Sequence, residues 1–219
     1  MDVITIKDGI VTLSEEHVIR RVGLDAFKDK LAIGLKVQTP VLPRGNILYA
    51  AKGIRSLVVL EEPPQMRTID FRTPRGAIRA FTIPLPWVYF VPIFHNSALD
   101  QLQLYFSPKS IQSDADFLFF PTLPNTNEDC HVCLGDYRYS ITRSLASHIA
   151  DVSRYYWAST FNTDLSNLYS TKIPEEIRDA TPASGELFEG WAKISLERVT
   201  GLSWHEHARL NQVITRLLP

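Results

Sequence analysis

The sequence predicts an α+β protein: an antiparallel β-meander with flanking helices, followed by a helical extension toward the C-terminus. Three observations point there. Between Asn46 and Ser107, short runs rich in Val, Ile, Tyr, Phe and Thr alternate with Pro, Gly and Asn turns, as strands joined by hairpins do. Beyond Ser144, the residues Leu145, Ile149, Val152 and Tyr156 recur at spacings of four, three and four, one stripe of an α-helix. Near the C-terminus, ELFEGWAKISLERV and SWHEHARLNQVITRLL read as two amphipathic helices, the second capped by Ser203.

The elements can be justified in order. In residues 1–45, VITI and IVTL flank Lys7-Asp8-Gly9, an Asp-Gly turn signal that predicts a strand pair. Ser14 then precedes EEHVIRRVGLDAFKDKL, whose early acids suit a helix N-terminus. Its apolar stripe would be Val18, Val22, Leu24 and Phe27, with Gly23 weakening it.

Residues 46–161 form the expected core. NILYAAKGIRSLVVLEE, MRTIDFR, AIRAFTIPLPWVYFVPIF and LDQLQLYFS are its strands, separated by Pro63-Pro64, Thr73-Pro74-Arg75-Gly76 and His95-Asn96-Ser97. Alternation puts Leu99, Gln101, Gln103 and Tyr105 on one face and Asp100, Leu102, Leu104 and Phe106 on the other. Pro84, Pro86 and Pro92 cannot donate to a ladder, so their segment should run along an edge or leave the sheet. Residues 162–219 read as a polar linker, to about 186, and then the helical extension.

Composition excludes several classes. A formal net charge of -1 and a pI near 6.6 leave no electrostatic footprint for nucleic acid. Arg67, Arg72, Arg75 and Arg79 stand near Glu61, Glu62 and Asp70, as on an ordinary solvated strand face. MDVITIKDGIVTLSEEH has neither the basic start nor the apolar run of a signal peptide, and no apolar stretch approaches the ~20 residues that cross a bilayer. The expectation is a soluble, cytoplasmic protein with no membrane partner. A phosphate loop, a dinucleotide-binding turn, a zinc-protease helix and a hydrolase serine motif are all absent from the sequence. The aromatic cluster Tyr155-Tyr156-Trp157 with Phe161, and Trp191 and Trp204, read as core contacts, and His148 as a residue at the core boundary.

The stretch LPNTNEDCHVCLGD holds both cysteines, Cys130 and Cys133. A disulfide would close a very small loop in a reducing compartment. A structural zinc needs four ligands, and His205 and His207, two apart on a predicted helix, point in different directions. A thioredoxin-like pair would open a helix, whereas the next helical signal lies more than ten residues on and acids flank Cys130. Two thiols without chemistry in a folded loop are a further reading.

Leu123-Pro124-Asn125, followed eight residues after the asparagine by Cys133-Leu134, resembles the active-site flap of the ubiquitin-conjugating enzymes. The order of elements is similar too: a helix, a proline-punctuated meander, the flap with its cysteine, a helix. IPLPWVYFV, LQLYF and PTLPNTNEDCHVCLG look most like a prokaryotic branch of that superfamily, the PRTRC-system protein B group. The resemblance is loose over residues 50–160 and close over 117–135.

It implies a ubiquitin-conjugating-like core and an acyl transferase. Cys133 would carry the C-terminus of a ubiquitin-like modifier as a thioester and pass it to an amine. Sulfur suits this, since a thiolate is both a good nucleophile and a good leaving group. Asn125 would donate to the oxyanion; it is equally suited to shaping the turn. The implied partners are an adenylating activating enzyme, which uses the ATP, the modifier, and a target protein; no cofactor or metal of its own is implied. Asp129 and Asp136 are candidates for work near the acceptor amine, by proximity to the cysteine alone.

Two positions depart from the pattern. Leu123 replaces the family's histidine, and Cys130 stands where a turn glycine is usual. Cys130 is then an inert thiol or a resolving partner for Cys133 under oxidation. The substitution at Leu123 keeps a second function open: a non-catalytic interaction module or scaffold on the same fold.

Overall fold

The computed structural model describes residues 3–7, 10–15, 18–23, 36–38, 47–73, 75–96, 98–133, 135, 145–165, 168–183 and 186–219. Helices and largely antiparallel sheets are mixed, so the α+β expectation holds. β1 (Val3–Lys7), β2 (Ile10–Glu15) and β3 (Val18–Gly23) form one antiparallel sheet, with Lys7 opposite Ile10 as the Asp-Gly signal requires. β3 corrects the expected helix after Ser14: the β-branched Val18, Ile19 and Val22 suit an extended backbone, and pairing with β2 satisfies it. The rest of that expected helix, residues 24–35, lies outside the described residues.

A seven-stranded sheet carries the core. Besides β4 (Lys36–Gln38), β5 (Ile47–Lys52) and β6 (Arg55–Glu62), it contains β9 (Trp87–His95), β10 (Ala98–Ser107), β11 (Phe117–Phe119) and β13 (Glu206–Arg209), in the order β13-β11-β10-β9-β6-β5-β4. A smaller sheet joins β7 (Gln65–Arg72), β8 (Ile78–Leu85) and β12 (Thr160–Phe161) in the order β12-β7-β8.

The two sheets share one long ribbon. β6 pairs with β9 and β7 with β8, and no residue is gained or lost between the ladders: Glu62 faces Val88 and Gln65 faces Leu85. That register sets Pro64 opposite Pro86. Neither has an N–H, so both strands lose their donors at one level and the ribbon breaks there. It also turns over. Tyr89, Val91 and Ile93 face one core, while Phe81, Ile83 and Leu85, on the same side by alternation, face the other.

The expectation that the prolines keep this segment to an edge holds only in part. Pro84 lies in β8, an edge strand, but Pro92 lies in β9, between β10 and β6. There the β6–β9 ladder lapses opposite Val58 and Val59, so the ladder yields rather than the strand. A register shift between Leu99 and Gln101 moves Leu99 to the face of Leu102, Leu104 and Phe106, against the simple alternation read from the sequence.

Both faces of the large sheet are covered. Val88, Phe90, Leu102, Leu104 and Phe106 pack against Val152, Tyr156 and Trp157 of helix α1 (Leu145–Ala158). The region read as a linker contributes α2 (Leu168–Thr171) and α3 (Glu175–Ala180), which bury Tyr169, Ile173 and Ile177 in the same core. The first predicted C-terminal helix is two short ones, α4 (Leu187–Trp191) and α5 (Leu196–Val199). Trp191 and Trp204 are buried, as expected of core anchors, and the Trp191 indole N–H donates to Pro84 O at 2.8 Å on the edge of β8.

The second predicted helix begins later than its Ser203 cap. Residues Glu206–Arg209 are instead β13, which pairs with β11, and α6 (Leu210–Leu217) follows. Its Leu210, Val213, Ile214 and Leu217 cover the other face of the sheet, over Tyr89, Val91, Tyr105 and Cys130. Among the described residues no helix is long and apolar enough to cross a membrane.

Gly190 marks the tightest packing between α3 and α4. A Cβ there would lie 2.3 Å from Thr181 Oγ1, 2.5 Å from Ile177 O and 2.7 Å from Thr181 N, and the backbone atoms cannot swing away. Gly190→Ala is therefore expected to destabilise by about 2 kcal/mol, lowering the thermal midpoint by roughly 4–8 °C. Gly201→Ala, whose Cβ would meet nothing closer than 3.6 Å, should stay within about 0.5 kcal/mol of the parent in urea titrations.

Candidate active site

The site begins with a tight turn. Thr126 bridges to Val132, and within that pair the Asn127 N–H donates to His131 O at 2.9 Å and the Cys130 N–H to Asn127 O at 2.9 Å. Asn127 Oδ1 accepts from the N–H groups of Asp129 at 3.0 Å and His131 at 2.9 Å, so one side chain satisfies the inside of the turn. The turn needs positive φ at Cys130, +63°. Glycine takes this conformation without strain, and a cysteine there costs about 1–2 kcal/mol.

The outgoing limb fixes the turn to the sheet. Cys130 O accepts from Leu104 N–H and the Val132 N–H donates to Leu102 O, both at 2.9 Å, along a stretch of β10 that β11 leaves open. With Cys130 in a left-handed conformation, residues two apart on this limb turn to opposite faces. Cys130 enters the core under α6, Val132 enters the core under α1, and Cys133, the next residue, is exposed.

Burial pushes the Cys130 thiol up to about 12; Arg216 opposes the shift and Asp129 adds to it. The two cysteines are thus one buried and one accessible thiol on different sides of the flap, and the disulfide and resolving-pair readings have no geometry to support them. Among the described residues no group of three His, Cys, Asp or Glu side chains could hold a metal.

Asn125 joins the flap to the strand beyond α1. Its backbone takes φ +62°, which asparagine tolerates better than most residues, and its carbonyl accepts from Cys133 N–H at 2.8 Å. Its amide reaches across the chain: Nδ2 donates to Thr160 O at 3.3 Å and Oδ1 accepts from Asn162 N–H at 3.0 Å. This clamp holds β12, itself paired with Asp70 and Phe71 of β7. Asn162 Oδ1 in turn accepts from Asp164 N–H at 3.1 Å, setting the position of the carboxylate's own backbone.

Between the flap and this strand lies a cavity of about 250 Å³. Asn125, Cys133 and Gly135 line one side; Tyr155, Ser159, Thr160, Asn162, Asp164 and Leu165 line the other. It combines an exposed thiol, two carboxamides, hydroxyls and one carboxylate. Asp164 is the acid that sequence reasoning missed. Its signal was Asn162-Thr163-Asp164, an Asx-turn pattern just past the helix stripe, in a stretch read as linker.

The other expected site residues are placed differently. Asp129 is not among the cavity's lining residues; its charge acts on Tyr105, Cys130 and His207, on the α6 side. Asp136 lies outside the described residues. Leu123 is fully buried in the core under α1. His205 and His207 belong to β13 and the segment before it, not to a helix, and the His207 ring packs between Tyr105 and Phe120.

No family model matches the chain, and no curated protein or solved structure matches it significantly.

In the native protein, iodoacetamide at pH 8 is expected to alkylate Cys133 and spare Cys130, with both cysteines reacting in denaturant; peptide mapping reads the sites. Folding also holds the Cys130 proton. Stability from this thiol is fully present below pH 9, the ordinary value of a thiol in the unfolded chain, and is lost as pH rises from 9 towards 12. Urea midpoints between pH 8 and 10.5 should therefore fall less in Cys130→Ala than in the parent.

Proposed function

We propose that the protein carries an acyl group as a thioester on Cys133 and passes it to an amine, as ubiquitin-conjugating enzymes do. The observation that carries this reading is one cavity lined by the exposed Cys133 thiol, the Asn125 carboxamide and the Asp164 carboxylate. The meander, flap and following helix stand in the order expected of a ubiquitin-conjugating-like core, which supports the resemblance to that superfamily and its PRTRC-system protein B branch, although among the described residues no helix precedes the meander.

In loading, the Cys133 thiolate attacks the activated acyl carbon of a ubiquitin-like modifier. The new C–S bond forms as the bond to the leaving group breaks. An adenylating enzyme supplies the activated modifier with ATP. In discharge, an acceptor amine of a target protein loses its proton to Asp164 and attacks the thioester carbonyl. The developing oxyanion takes the second N–H of the Asn125 amide, whose first is held by Thr160. The C–S bond then breaks, and Cys133 leaves as thiolate. A reducing cytoplasm keeps that thiol available.

Asn125 therefore has two tasks in this reading. Its clamp on residues 160 and 162 positions Asp164, and its remaining donor stabilises charge. Leu123 lies in the core, so the flap is held by packing and by the Asn127 hydrogen bonds where the family uses histidine.

With the activating enzyme, modifier and ATP, intact mass should show an adduct that thiol reductant removes, that persists in Cys130→Ala and that disappears in Cys133→Ala. Absence of an adduct at either cysteine would instead identify a non-catalytic interaction module. Single-turnover discharge onto free lysine separates the roles further. Asn125→Ala should slow it about 10²-fold. Asp164→Asn should leave loading intact and slow discharge most at neutral pH, less as pH rises and the amine deprotonates itself.

A further inference from the structure

We propose that the outer face of the β7–β8 arm, with its tip at Arg72, Arg75 and Ile78, is the docking surface for an extended acidic peptide segment leading into the acyl group on Cys133. This rests on the thioester reading above and adds to it the chemistry of the acyl donor. One side of the arm buries Ile69, Phe71, Phe81 and Ile83. Its other side presents Met66 and the cross-strand pairs Thr68–Thr82, Asp70–Ala80 and Arg72–Ile78, while Pro84, the partner of Met66, is buried. Met66 is 46% and Ile78 55% exposed, and small side chains lie between them, so the face is flat and partly apolar.

The face runs into the thiol cavity. Asp70, at its middle, is the register partner of Thr160, which lines the cavity with Cys133, and the exposed Leu165 forms a further apolar part of that lining. Adjacent strands lie about 4.8 Å apart, and Arg72 and Ile78 stand one pleat repeat, ~7 Å, beyond Asp70. An extended chain rises ~3.3 Å per residue. From Thr160, at the edge of the cavity, roughly four residues of extended chain therefore reach the tip.

Charge selects the occupant. Arg67 is paired with Glu62 at 3.0 Å and Arg79 with Glu189 at 2.8 Å. Arg72 and Arg75 are exposed and have no carboxylate partner among the described residues. Asp70, also exposed, stands on the cavity side of these two arginines, so the positive charge is gathered at the tip, and an acidic segment supplies carboxylates there, with an apolar residue for Ile78. A second copy of the chain fits worse, because a two-fold contact at the tip would bring these arginines against one another. In the loading step the Cys133 thiolate attacks the peptide's C-terminal thioester carbonyl. One C–S bond forms, the other breaks, and the released thiolate takes up the proton that Cys133 gave to solvent.

The test uses three synthetic thioesters with a C-terminal glycine: acetyl-glycine alone, an octapeptide with two glutamates and a leucine before Gly-Gly, and the same peptide with lysines for the glutamates. Transfer to Cys133 is followed by intact mass in the full chain, in Arg72→Glu/Arg75→Glu, in Ile78→Asp and in Cys133→Ala. The acidic peptide is expected to load the parent about tenfold faster than the basic one at low salt. Arg72→Glu/Arg75→Glu should reverse that order and Ile78→Asp should slow both peptides, while acetyl-glycine loads every variant but Cys133→Ala at one rate. Equal loading by acidic and basic peptides, or an order unchanged in the double variant, overturns the docking surface and leaves the thioester reading standing. Failure of all three thioesters to load the parent overturns both.

Discussion

A proline facing a proline governs this fold. Where Pro64 meets Pro86, two adjacent strands lack N–H donors at the same level, and a ribbon spanning Arg55 to His95 cannot continue flat. Because no residue is inserted on either arm, the break preserves register while changing which side is buried. The lower ribbon contributes Tyr89, Val91 and Ile93 to the core under α6, and the arm contributes Phe81, Ile83 and Leu85 to the core under α1. The arm thereby gains a cover. Phe188 packs edge-on against Phe71 with ring centroids 5.1 Å apart, and Trp191 donates to Pro84 O, closing the edge of β8.

The candidate site inherits its shape from that arm. β12 is only Thr160–Phe161, too short to persist alone, and it lies where it does because β7 pairs with it on one side and the Asn125 amide holds it on the other. Two hydrogen bonds from one side chain to the backbone on either side of Phe161 add about 1 kcal/mol each. Their larger effect is geometric, since they set Asp164 across the cavity from Cys133. The flap supplies the opposite wall through contacts that are almost all backbone, so the position of the thiol depends little on side-chain packing near it.

Period-based reasoning found the meander, the helix with Val152 and Tyr156, and the exposed cysteine, because each has a local signal. It failed where tertiary pairing overrides local preference. EEHVIRRVG begins with the acids of a helix, yet its β-branched residues pair with β2. SWHEHAR looks like a helix start, yet β13 satisfies the free edge of β11. The proline pair was visible as two separate turn signals; only the register reveals that they face each other. Asp164 was missed for the same reason, since nothing local says that a polar stretch after a helix returns to a cysteine thirty residues upstream.

Two cysteines three residues apart acquire opposite exposure from the turn between them. The left-handed conformation at Cys130 sends its thiol into the core under α6 and Val132 into the core under α1, and the chain returns to the surface at Cys133. A buried thiol with a raised pKa contributes apolar volume and resists oxidation and alkylation, so Cys133 is the accessible thiol of this flap. Leu123 fits the same logic. With Asn127 satisfying the turn and β10 holding the outgoing limb, the position before Pro124 is left to core packing, and a buried leucine anchors the incoming limb there. The flap is therefore held by core packing at Leu123 and by its backbone bonds, with the thiol, the carboxamide and the carboxylate left facing the cavity.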